Sequence, residues 1–222
     1  MIRKKTVLRW ALFLLGILIN AFGIAFITKA ALGTSPISSV PYVLSLQFSM
    51  TLGEFSFFLN LFFILLQILL LRRRFPLFQL LQLPVALLFS LFIDFSMSLL
   101  GGFAPENYVL QLVSLIAGCL ILAVGINVEV GANVLLVPGE GVVKAISTVT
   151  RREFGTVKVY FDVTLMAVSL VLSLIFFHGL NGIREGTVIS ALLVGQFVKL
   201  CSRKLPFIRR IPLLSQGEGA AG

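Results

Sequence analysis

Six long apolar runs and two short interrupted ones make up most of the chain. About 20 apolar residues cross a bilayer as a helix. Residues 7–31, 53–71, 82–100, 109–130, 155–177 and 185–201 meet or approach that length and predict six spans. Residues 36–50 and 138–152 differ, because each starts at a proline and is too short to cross. Residues 37–50 would give a helix of roughly 21 Å, against a hydrocarbon core of about 30 Å. Gly33-Thr34-Ser35-Pro36 is helix-start chemistry, with a serine ahead of a proline at the first helical position. The pattern predicts short helices that enter the membrane without crossing it.

The two interrupted stretches are related. A shift of 102 positions carries Pro36 onto Pro138 without a gap, and with it Gly16 onto Gly118, Gly23 onto Gly125 and Gly53 onto Gly155. Polar positions inside apolar runs keep the same register, with Asn60 on Asp162 and Asp94 on Gln196. Leucines coincide by chance in so apolar a chain, but a proline and several glycines at one offset do not. The chain therefore divides into repeat one at residues 1–104, repeat two at 105–203 and a basic tail at 204–222.

Charge sets the expected topology. Basic residues cluster at Arg3 to Lys5 with Arg9, at Arg72 to Arg74, at Arg151 and Arg152, and at Arg203, Lys204, Arg209 and Arg210. With both termini in the cytoplasm and six crossings, every cluster lands on the cytoplasmic side, as the positive-inside rule asks. A seventh crossing at 36–50 would put the Arg72 triplet outside. Three crossings per copy is odd, so the copies insert in opposite orientations. The predicted fold is an all-α membrane protein with six transmembrane helices, two short re-entrant or half-helices and a 3+3 inverted-topology repeat. Broken backbone at membrane depth needs protein or water around it, so the two short segments are expected to meet near the middle, at the functional site.

Composition removes several function classes. Of 222 residues, 58% are hydrophobic and 12% charged, with mean hydropathy +1.05, against about 25% charged in soluble domains. The net charge of +9 sits at the ends of apolar runs, which fits membrane topology and not nucleic-acid binding. The basic start followed by 7–31 is too long for a signal peptide. Cys119 and Cys201 lie in apolar runs and read as free thiols. The single histidine, His178, falls in a turn at 178–182, so no metal site is expected. No phosphate-binding loop or nucleophilic triad can be assembled, so neither an enzyme nor a cofactor is expected.

The residues Ala31 to Tyr42, Gln79 to Pro84, Val137 to Gly141, Phe154-Gly155 with Phe161-Asp162, and Arg184 to Thr187 together resemble the bacterial YczE/YyaS/YitT family of integral membrane proteins. The resemblance runs over about 7–203. It implies a multi-pass protein of the bacterial inner membrane, in a family mostly without assigned activity and described as candidate transporters. It implies no catalytic or ligand residues.

Charged groups inside a bilayer cost at least about 2.5–3.5 kcal/mol, so each needs a reason. Glu140 follows Pro138 in the first turn of the second short helix, where a carboxylate suits the helix dipole. Lys144 lies four residues on, at ion-pair spacing. The alternatives are a cap with an ion pair, or a proton carrier. Gly139 and Gly141 leave room for a ligand against the backbone. In copy one, Gly33, Thr34, Ser35, Ser38 and Ser39 offer hydroxyls and free N–H groups for an anionic group, or simply cap the helix. Asp94, Asp162 and Glu129 are further candidates for proton or ion coupling, although Lys158 is placed to neutralise Asp162. The expected activity is secondary transport of a small polar solute, a zwitterion or organic acid, with coupling to protons. The alternatives are a non-transporting factor that assists a partner, and a passive channel. The expected partners are the lipid bilayer and the solute, with no nucleic acid, and homo-oligomerisation stays open.

Overall fold

The computed structural model describes residues 2–204; the tail expected at 204–222 lies outside them except for Lys204. Eight α-helices follow in order: α1 (Ile2–Lys29), α2 (Pro36–Gln47), α3 (Leu52–Leu71), α4 (Gln82–Leu99), α5 (Tyr108–Ala132), α6 (Pro138–Thr150), α7 (Phe154–Phe177) and α8 (Glu185–Lys204). Two 3₁₀ turns, Arg72–Arg74 and Leu77–Leu81, join α3 to α4. All except α2 and α6 are long and apolar enough to cross a membrane, which gives six candidate spans among the described residues. α2 and α6, at 12 and 13 residues, are shorter still than the 36–50 and 138–152 read from the sequence.

Local chemistry explains the ends. α2 and α6 start with proline at the first helical position, where its missing N–H costs nothing. α3 starts in a capping box, with Glu54 N donating to Thr51 Oγ1 at 3.0 Å and Thr51 N to Glu54 Oε2 at 2.8 Å. α1 and α5 are followed by left-handed residues at matching positions, Ala31 (φ 62°) and Asn133 (φ 48°). An arginine from elsewhere binds the carbonyls at each end. Arg184 Nη1 donates to Ala31 O at 3.1 Å, and Arg9 donates to Ala132 O at 3.0 Å and to Asn133 O. A cation suits the negative end of a helix dipole.

α1 and α5 form the backbone of the molecule. They cross antiparallel, with Gly16 on Glu129, Asn20 on Gly125, Gly23 on Leu122 and Ile27 on Gly118. A Cβ on any of the four glycines would lie 2.6–2.9 Å from the facing backbone nitrogen. The contacts exchange under the 102-residue shift: Gly16 with Glu129 becomes Gly118 with Ile27, and Gly23 with Leu122 becomes Gly125 with Asn20. α4 and α8 flank this pair. Beside it, the short helix of each half packs on a long helix of the other half, α2 on α7 and α6 on α3. Val40, Phe63, Val142, Val143, Val157 and Leu165 fill the space between them.

α2, at 12 residues, is too short for a span. Its first turn touches the first turn of α6, with Ile37 Cδ1 against Gly139. Its later residues Tyr42, Val43 and Leu46 lie on Gly182, in the loop before α8 that also caps α1. The chain thus leaves and returns at one end. A polar layer holds α6 in the same way. Gln67 Nε2 on α3 donates to Gln82 Oε1 at 3.0 Å and to Pro138 O at 3.2 Å, all buried. Gln67→Met keeps the volume but strands these acceptors. It is expected to cost about 1–3 kcal/mol, read as a lower melting temperature of the purified protein.

Candidate functional site

The two short helices meet at their starts, and the residues that touch, Ile37 and Gly139, are the pair that the 102-residue shift equates. Ser169 Oγ donates to Ser39 Oγ at 2.9 Å. The matching position in the other half puts Gln67 against Gly141. The space that the sequence reading assigns to a ligand beside Gly139 and Gly141 is therefore filled by Ile37 and Gln67.

The hydroxyls of the first short segment are likewise committed. Thr34 Oγ1 pairs with Thr28 Oγ1 at 2.8 Å, Thr34 N donates to Thr187 Oγ1 at 3.2 Å, and Ser190 Oγ donates to Thr34 O at 3.2 Å. Ser35 is the residue ahead of α2, as expected, but its hydroxyl donates to Ser38 Oγ at 3.0 Å and caps no backbone N–H. Ser39 Oγ donates to Pro36 O at 2.6 Å. Gly33, Thr34, Ser35, Ser38 and Ser39 are buried, and they form a packed seam between α2, α7 and α8 where an open cradle was expected.

Glu140 stands in the first turn of α6, half-buried. No ion pair joins it to Lys144 among the described residues, and Lys144 is exposed. The charge that acts on Glu140 is that of Lys158, on α7, and Glu140 in turn acts on Glu129, on α5. Lys158 Nζ lies 2.6 Å from Asp162 Oδ1, as the four-residue spacing predicted. Glu129 is 3% exposed and accepts a hydrogen bond from Asn20 Nδ2. Asn20 Oδ1 is buried without a partner. Sequence reading passes over Asn20; its signal is its place between Gly16 and Gly23. The result is a run of ionisable groups, Glu129, Glu140, Lys158 and Asp162, on three helices at the end of the molecule where Arg9 sits.

Asp94 is elsewhere. Its Oδ2 accepts from Thr51 Oγ1 at 2.7 Å and its Oδ1 from Gly53 N at 2.8 Å. It clasps the start of α3 to α4 at the end opposite Arg9. Gly53 is pressed on Ser90 and Asp94. The matching positions in the second half are not in contact. Gly155 has nothing within 4 Å of a would-be Cβ, Gln196 is exposed, and α7 barely touches α8 although α3 packs along α4. The α1–α5 glycine contacts and the Ile37–Gly139 contact keep their counterparts across the shift; the clasp does not.

Residues 7–203 match a family described as a family of unknown function, DUF6198. The chain is 26% identical over 199 residues to "Uncharacterized membrane protein YczE" of Bacillus subtilis (strain 168), covering 89% of this chain and 86% of that protein. No solved structure matches.

Proposed function

The chain belongs to DUF6198, a family of unknown function, and from the geometry we propose that it is a secondary transporter of a small polar solute in the bacterial inner membrane. The single observation that carries the proposal is the broken symmetry of the clasp. Inverted repeats that swap conformations expose a central site to each side in turn, and a clasp formed at one end alone fits such a protein held in one of its two conformations. Asp94 with Thr51 and Gly53 ties α3 to α4 at one end. At the other end the counterparts Gln196 and Glu153 stand exposed, and a Gln196 amide can donate to Glu153 when that end closes. The positive-inside rule puts the open end and both termini in the cytoplasm. Glu140 and Glu129 carry the coupling proton, because both stand at the open end and the charge of Glu140 acts on Glu129. Asp162 is spent on Lys158.

The test is accessibility from both sides. In a background with Cys119→Ala and Cys201→Ala, single cysteines replace Thr156, Gln196 and Ser90. Thr156→Cys and Gln196→Cys should react with a membrane-impermeant maleimide from the cytoplasmic side, and Ser90→Cys, at a buried position, from neither. A transported solute should slow the first two and expose the third. Labelling that no solute changes, with no flux in proteoliposomes, would sink the proposal. It would favour a partner-assisting factor, for which Ala191 and Gly195, four apart on α8, offer small exposed residues that let a second helix approach closely.

A further inference from the structure

A partly open pocket of about 390 Å³ lies at the clasped end, among the end of α1, the second half of α2, the start of α3 and the last turns of α4. That volume is within the range of small-molecule sites, about 300–1,000 Å³. Its wall carries one cation and one anion, Lys29 and Asp94, with Tyr42 and Ser45 between apolar surfaces that include Met50 and Met97. Neither charge is used up. Lys29 makes no ion pair among the described residues. Asp94 accepts one bond on each oxygen, from Thr51 and Gly53, and a carboxylate has about four lone-pair sites.

We infer that this pocket binds a small zwitterion of the amino-acid type, with its carboxylate on Lys29, its ammonium on Asp94 and an apolar side chain against Met50 and Met97. The charge balance selects the class. A zwitterion gives both wall charges a partner. An amine alone brings its charge towards Lys29 without a carboxylate to offset it, and an acid alone does the same towards Asp94. Methionines adapt to side chains of different shape, which suits a family of related solutes. The inference names the substrate class for the transport reading and rests on that reading only for the claim that the bound molecule moves.

The experiment is thermal unfolding of the purified full chain with L-leucine and L-methionine, and with the two charge-deleted forms of leucine, 3-methylbutylamine and 4-methylpentanoate. At saturation a ligand that binds only the folded protein raises the melting temperature by mass action, here by about 2–6 °C. The amino acids should give that rise, and the amine and the acid should need at least about ten-fold higher concentration, a loss of about 1.4 kcal/mol. Lys29→Met should remove the rise and Lys29→Arg should keep it. No rise with any amino acid, an equal rise with the amine or the acid, or a full rise in Lys29→Met would each overturn the inference. If Lys29→Met does not fold, the comparison of the three leucine forms on the wild-type chain decides. Binding without uptake in proteoliposomes would overturn the transport reading and leave the site standing.

Discussion

Gly23→Val is expected to cost the protein its fold, while Gly195→Ala, also in a long helix, is expected to be neutral or stabilising. A Cβ at Gly23 would sit 2.7 Å from Leu122 N and 2.8 Å from Leu122 Cα. Those are backbone atoms of the antiparallel partner, so no rotamer change relieves them and α1 must move off α5. Overpacking a tight site costs typically about 1–3 kcal/mol for added methylenes that neighbours can accommodate. Here the whole crossing would shift, and with it the Gly16, Gly118 and Gly125 contacts, so we expect the upper end of that range or more. Small proteins have only about 5–15 kcal/mol in hand. Gly195 has nothing within 4 Å of its would-be Cβ, and alanine in a helix interior is about 1 kcal/mol better than glycine. Size-exclusion profile and melting temperature of the two variants in the same detergent check the pair. A well-folded Gly23→Val with wild-type melting would mean that α1 and α5 are not packed at this crossing.

Glu140→Gln should abolish proton-coupled uptake, by at least about ten-fold, while leaving the fold and solute binding in place. The substitution keeps the size and the hydrogen-bonding shape of the side chain and removes only its ability to take up and release a proton. Glu140 is half-buried, feels Lys158 and acts on Glu129, so a proton placed on either acid alters the other. It has no Lys144 ion pair that the change would break. A cap role predicts a different result, because glutamine loses the helix-dipole attraction, about 0.3–1 kcal/mol, and uptake would be unchanged. Reconstituted protein under an imposed pH gradient separates the two. Uptake that still follows the gradient in Glu140→Gln would move the proton to Glu129 or remove coupling altogether.

Much of the fold is written locally. Pro36 and Pro138 mark the short helices, Thr51 with Glu54 starts α3, and the 102-residue register anticipates where α6, α7 and α8 begin. These features are legible because a helix start depends on a few consecutive residues and a span on the length of an apolar run. That residues 36–50 are too short for a span also followed from the sequence, and α2 is shorter still.

The site was read less well, because each misreading used spacing along one helix for a question that involves two. Glu140 and Lys144 share a face of α6, yet Lys158 arrives from α7. Asp94 counts as mid-span on α4, yet the start of α3 comes to it. Gly139 and Gly141 look like room for a ligand until Ile37 and Gln67 from other helices take the space. The sequence by itself determined the membrane environment and where most of the helices begin, which depend on local chemistry and on the length of apolar runs. Only the tertiary structure decided which surfaces those glycines meet and which charges face each other. It alone decided that Asp94 meets Thr51 and Gly53 while Gln196 and Gly155 do not meet, since contacts between distant helices are not written in the spacing of either one.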